Sequence, residues 1–193
     1  MQEERKNHNT SNRFYKIEPF GIPTISKSKG HLRKIKKSLV LIQNTDILLF
    51  RKVLRLRLIL VFPGDSYYGV VFPGQRIYID QPKAIRDSSI PFLASSIIHE
   101  AWHIDQHERG MRDFSGKAER GAYLVQRRFL TKTGSKREVK WLDREYGLKW
   151  WQPEDTAEKK QSGYDNVSTN KSVSEFRKFF KQYKQGKLKI EEI

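Results

Sequence analysis

His99, Glu100 and His103 stand in the string Ser95-Ser96-Ile97-Ile98-His99-Glu100-Ala101-Trp102-His103. Residues four apart on an α-helix differ by about 40° in azimuth, so the two histidines leave one face and can grip one ion through their imidazoles. Glu100 lies beside that face, placed to take a proton from water on the ion without being a ligand itself. The string sits within a helical pattern, with Ile97 and Ile98 ahead of it and uncharged Ala101 and Trp102 inside it. The competing reading is two surface histidines meeting by chance.

The chain contains no cysteine, which excludes thiolate metal sites, a cysteine nucleophile and a disulfide framework, so any metal must use His, Asp or Glu. A tetrahedral hydrolytic site needs a third protein ligand and leaves a fourth position for water. His107 continues the four-residue series but lies a further turn on, about 6 Å from His103 by rise, which makes it a supporting or surface residue. Glu119 is the stronger candidate: the chain turns through Gly110 to Phe114, and a helical hairpin brings Glu119 level with the histidines. Asp113, in the turn, is the runner-up. Ala122 and Gln126 follow Glu119 at i+3 and i+7, offering a small residue for close packing and an amide to support a ligand. Tyr123 and Tyr146 are chemically suited to stabilise an oxyanion. Trp150 and Trp151 suit a pocket wall or a core.

The elements that must position these groups are legible in outline. Leu32, Ile35, Leu39 and Ile42 recur at helical spacing from His31 onward, and a short helix is expected over Asp46 to Val53. Leu54 to Phe62 reads as a strand, followed by a turn at Pro63-Gly64-Asp65, a strand candidate at Tyr67 to Phe72, a turn at Pro73-Gly74 and a strand from Arg76 to Asp80. The repeated Val-Phe-Pro-Gly at 61–64 and 71–74 suggests an antiparallel meander. Pro91 and Gly110 bracket the helix that carries the histidines, Ser115 and Gly134 bracket the next, and Arg137 to Tyr146 forms another. A polar stretch at 152–171 precedes a last amphipathic helix, opened by the capping box Ser172-Val173-Ser174-Glu175 and stopped at Gly186.

With 193 residues, 37% hydrophobic and 12% aromatic, the chain has material for one core. Its 38 Lys or Arg against 22 Asp or Glu give a charge of +16. Residues 1–60 hold 14 basic and 4 acidic side chains, residues 61–120 hold 7 and 8, and residues 121–193 hold 17 and 10. The motif therefore lies in the near-neutral third, and the basic flanks suit weak nonspecific binding of nucleic acid or another polyanion, or serve only as a solvated face. The N-terminus has no apolar run, and Val53 to Phe62 is interrupted by Arg55 and Arg57, so the expectation is a cytoplasmic protein without a membrane span.

His-Glu-Ala-Trp-His followed by Ser115-Gly116-Lys117-Ala118-Glu119-Arg120-Gly121-Ala122-Tyr123 resembles a gluzincin-type zinc metallopeptidase in a compact form. The resemblance covers about residues 91–130. It implies one zinc ion per chain on His99, His103 and Glu119, Glu100 as general base, and a peptide or protein substrate. Asp105 departs from the pattern, which prefers an apolar residue there. The implied fold is α+β and zincin-like: a small, mostly antiparallel sheet, an active helix and a following ligand helix. An edge strand above the cleft pairs with substrate in this family, a role that falls to Gln75 to Asp80 by its place before the active helix. The domain division expected is a tail at 1–14, the zincin-like domain at 15–150, a linker at 151–171 and a terminal helix and tail at 172–193. The alternative function is a catalytically silent zincin-fold module that binds nucleic acid or a partner.

Overall fold

The structure is a computed structural model that describes residues 13–62, 70–72, 74, 76–111, 116–147 and 171–193. The elements run β1 (Phe14–Ile17), a 3-10 turn (Pro19–Gly21), β2 (Thr24–Ser26), α1 (Lys29–Thr45), α2 (Ile47–Val53), β3 (Leu58–Val61), β4 (Val70–Phe72) and β5 (Ile77–Asp80). They continue through α3 (Pro82–Asp87), α4 (Ile90–Glu108), α5 (Gly116–Lys132), α6 (Lys136–Gly147), α7 (Lys171–Lys184) and β6 (Ile190–Glu192). The molecule is α+β.

The six strands form one sheet in the order β4-β5-β3-β2-β1-β6. The expected mostly antiparallel meander is corrected here. Only β1–β2 and β4–β5 are antiparallel, whereas β1–β6, β2–β3 and β3–β5 are parallel. The reason lies in β3. All four of its residues are buried, with Ile59 and Val61 in the cluster that α1, α2 and α4 line, and Leu58 and Leu60 in the opposite cluster with Phe14 and Phe179. A strand covered on both faces is a continuous apolar run, and a parallel neighbour reached through a helical crossover suits it. Helices α1 and α2 are that crossover, from β2 to β3.

A second correction concerns the edge. Strand β5 lies between β3 and β4, so the sheet edge that packs against α4 is β4. The Val-Phe-Pro-Gly repeat suggests consecutive pairing, but Val70–Phe72 pairs with the strand that follows it, and that strand returns beside β3 in parallel.

The C-terminal segment is built into the sheet. Phe179 of α7 sits with its ring centroid 4.9 Å from that of Phe14 and 5.4 Å from that of Phe62, and β6 extends the sheet beside β1. The expected division that separates 172–193 from the domain cuts through this cluster.

Helix α4 is set by local chemistry. Ser89 caps it by accepting from the Phe92 N–H at 3.1 Å, Pro91 occupies its first turn, and Gly110, with φ of 88°, follows its end in a conformation that suits glycine. Leu93, Ala94, Ile97, Ile98, Ala101 and Ile104 enter the main core. Helix α5 packs along α4, and α6 packs on α5 around Tyr123, Leu130 and Leu142. Among the described residues no helix is long and apolar enough to cross a membrane.

Candidate metal centre

Helices α4 and α5 bring His99, His103 and Glu119 together, with one ligand atom from each inside a span of 4.8 Å. The His99 and His103 Nε2 atoms are 3.2 Å apart. Glu119 reaches both, Oε2 at 3.4 Å from His99 Nε2 and Oε1 at 3.3 Å from His103 Nε2. Ligands at about 2.0–2.1 Å around a tetrahedral zinc stand about 3.3–3.4 Å from one another. The two Nε2 atoms stand near that separation, and the Glu119 carboxylate meets each ring through a different oxygen.

The hydrogen bonds behind the rings fix what the Nε2 atoms present. Gln106 donates through Nε2 to the Ala118 carbonyl at 3.0 Å, so its amide oxygen is the atom 2.9 Å from His103 Nδ1. A carbonyl cannot donate, and an amide oxygen cannot donate either, so His103 Nδ1 carries the proton. The second chain is longer. Ser95 donates its hydroxyl to the Phe92 carbonyl at 2.7 Å, accepts from Gln126 Nε2 at 3.1 Å, and leaves the Gln126 oxygen 3.1 Å from His99 Nδ1. In the neutral form both rings therefore turn an Nε2 lone pair toward the other and toward a carboxylate. Such a convergence of acceptors calls for a cation or for protons between them.

The electrostatics agree. Burial pushes the Glu119 carboxyl up, but hydrogen bonds and charge from His103 and His99 outweigh it and hold the group well below the usual range. Burial alone would lower His103, yet the Glu119 and Glu100 carboxylates leave it raised. Glu100 is pushed up, first by burial, with Glu119 and Asp80 adding and the two histidines opposing.

Two groups near Glu100 have no counterpart in the sequence reading. Tyr78 is fully buried and donates its hydroxyl to Asp80 Oδ2, while the Gln81 N–H donates to Asp80 Oδ1 at 2.7 Å. Burial raises Asp80 to about 6 against those two bonds. Nothing in a single strand's pattern marks this, because Asp80 ends β5 where a polar residue is ordinary. Gln106 was also missed, although its i+3 spacing from His103 on the same helix could have found it.

Gln126 lies where the spacing from Glu119 places it. His107 does not join the cluster; a β-carbon built on Gly74 would stand 3.9 Å from its Cε1, so the ring faces the β4–β5 turn. The Tyr123 hydroxyl is directed elsewhere: it donates to Asp143, and burial with that carboxylate pushes it up to about 12. Tyr146 stacks on Tyr123 at 3.6 Å between centroids, within the α5–α6 packing. Neither arrangement supports an oxyanion role for Tyr123, since its side chain spans from α5 to α6. Asp113, Ser115, Trp150, Trp151 and the stretch 152–170 lie outside the described residues.

Asp105, the departure from an apolar pattern, is buried and meets Lys52 at 2.8 Å, Arg55 at 2.8 Å and Arg109 at 3.1 Å. Burial pushes its carboxyl up, but these cations hold it below the usual range. A buried acid is tolerated there because α2 and the residues after it supply its partners. Comparison with protein-family models, with curated proteins and with solved structures finds no match to this chain.

Proposed function

We propose that this chain is a zinc-dependent metallopeptidase with a zincin-like, gluzincin-type site, one zinc per chain on His99, His103 and Glu119. The observation that carries the reading is the convergence of two Nε2 atoms and one carboxylate at 3.2–3.4 Å, with both Nδ1 positions held by amide oxygens. Two imidazoles and one carboxylate are a donor set that zinc accepts with a position left open.

Zinc bound there supplies a Lewis acid that polarises a carbonyl and lowers the pKa of a water to about 7. Glu100 follows His99 directly and is the group placed to accept a proton from that water and return it to the leaving amine. Burial raises its pKa, the direction that favours a group which both accepts and returns a proton. Gln106 and Gln126 keep the two rings in the tautomer whose Nε2 is available. Strand β4 ends the sheet among the described residues and lies beside α4, the place where an extended peptide would add as a further strand.

The test is hydrolysis of a mixed peptide library by the zinc-loaded chain and by Glu100→Gln, with zinc content followed by native mass spectrometry. The variant should keep its zinc and lose roughly 10²–10⁴-fold in rate. Equal turnover by the two proteins contradicts the proposal.

A further inference from the structure

Five of the seven large apolar side chains that stand exposed among the described residues belong to one stretch of the fold: Phe20, Val40, Ile47, Leu48 and Leu54. On α2, Ile47, Leu48, Arg51 and Leu54 follow the spacing i, i+1, i+4, i+7 and share the outward face, opposite Leu49, Phe50 and Val53 in the core. Ile47 is 52% exposed, Leu48 66% and Leu54 42%. Phe20 is 40% exposed and stands beside α2, its ring edge-on to Phe50 at 5.0 Å between centroids. It is held there with φ of 57°, a conformation that a bulky residue rarely takes.

Charge accompanies the hydrocarbon. The outward face of α1 is one stripe of Arg33, Lys36, Lys37, Val40 and Asn44, and Arg57 follows α2, also exposed. Residues 29–57 contain nine Lys or Arg, of which Lys52 and Arg55 pair with Asp105 and Lys29 pairs with Glu191, and one acid, Asp46. That acid is used internally, capping α2 through the Leu48 and Leu49 N–H groups and pairing with Lys132.

We propose that the outer face of α1 and α2, with Phe20, docks on an anionic bilayer surface. Phe20, Ile47, Leu48 and Leu54 enter the boundary between headgroups and acyl chains, while Arg51, Arg57 and the α1 stripe meet lipid phosphates. The contact is peripheral, since no described helix is long and apolar enough to cross a membrane.

The alternatives fit the chemistry less well. A nucleic acid offers phosphates but no medium for four exposed aliphatic side chains. A second copy, meeting face to face about a two-fold axis, sets a cationic surface against itself. An ordinary protein partner is met through directional hydrogen bonds, yet Asn44 is the one neutral hydrogen-bonding side chain among the exposed residues named here. A fluid surface of hydrocarbon and diffuse negative charge needs no such directionality.

The experiment is co-sedimentation of the full chain with vesicles of phosphatidylcholine alone and with vesicles containing about 30% phosphatidylserine, at about 0.1 M salt. Binding is expected on the anionic vesicles, at least about tenfold stronger than on the neutral ones. Leu48→Asp combined with Leu54→Asp should weaken it at least about tenfold, and Arg51→Glu by about tenfold or more. All three positions are exposed; an acid at position 48 suits the N-terminal turn of α2, whereas acids at 51 and 54 stand at its C-terminal end, so thermal midpoints should fall by only a few degrees and the chain should stay folded. Failure of the parent chain to bind anionic vesicles overturns the proposal, as does full binding by either variant. Duplex DNA binding that the leucine variant leaves intact, without vesicle binding, reassigns the face to polyanions. A dimer in sedimentation equilibrium that the leucine variant dissociates, without vesicle binding, reassigns it to self-association. None of these outcomes depends on the metal centre.

Discussion

Gln106 sits between the two helices that carry the metal-binding candidates: its amide oxygen is 2.9 Å from His103 Nδ1, and its amide nitrogen donates to the carbonyl of Ala118, the residue before Glu119. One side chain thus sets the tautomer of a ligand on α4 and holds the first turn of α5 against it. Gln126 makes the reciprocal link, from α5 to His99 and Ser95 on α4.

Removing either amide should therefore weaken metal binding without removing a ligand. Gln106→Ala and Gln126→Ala are each expected to lower zinc affinity about 10–100-fold, read by competition with a chromogenic chelator. Affinities equal to the parent's would mean that the rings are oriented by packing alone.

Gly121 makes this arrangement possible. A β-carbon there would stand 3.0 Å from Gln106 Nε2 and 3.2 Å from Trp102 Nε1, so α5 approaches α4 through the gap that glycine leaves. In an open helix, Gly→Ala stabilises by roughly 0.5–1 kcal/mol. Gly121→Ala should do the reverse, losing about 1–3 kcal/mol and displacing the Gln106 amide, with zinc affinity falling alongside. A raised thermal midpoint together with unchanged zinc affinity would contradict the packing described.

Burial of Asp80 gives the fold a pH dependence whose sign follows from its raised carboxyl. Its carboxyl is raised from 3.8 to about 6, chiefly by burial, while the Tyr78 hydroxyl and the Gln81 N–H pull the other way. The folded state then holds this proton to higher pH than the unfolded chain does. Its contribution is full below about pH 4 and is lost as pH rises through about 6, on the order of 3 kcal/mol in all. Asn at this position keeps an acceptor for Tyr78 but does not ionise. Urea unfolding of the parent and of Asp80→Asn should give curves that separate across that window, the variant gaining as pH rises; parallel curves would refute the assignment.

The site was more legible than the sheet, and the reason is range. His99, Glu100 and His103 share one helix, and Glu119 lies one hairpin away, so helical spacing and a turn at Gly110 were enough to bring them together. Strand order has no such local code. The short β1 and β2 between residues 14 and 26, and β6 at 190–192, acquire their meaning only from pairing with one another and with β3, and β1–β6 joins segments more than 170 residues apart. The uninterrupted run Leu58 to Phe62 did carry the signal of a strand buried on both faces, which favours parallel neighbours over a meander. Asp105 looked like a flaw in the motif because its partners Lys52 and Arg55 lie some fifty positions earlier.

The central claim, that His99, His103 and Glu119 hold one zinc ion, is tested most directly by native mass spectrometry of the parent, His103→Ala, Glu119→Ala and Asp113→Ala after equilibration with zinc near neutral pH. The parent and Asp113→Ala should carry one zinc per chain, His103→Ala should carry none, and Glu119→Ala should carry it with reduced occupancy. A parent chain that takes up no zinc, or full occupancy in both His103→Ala and Glu119→Ala, would contradict the claim.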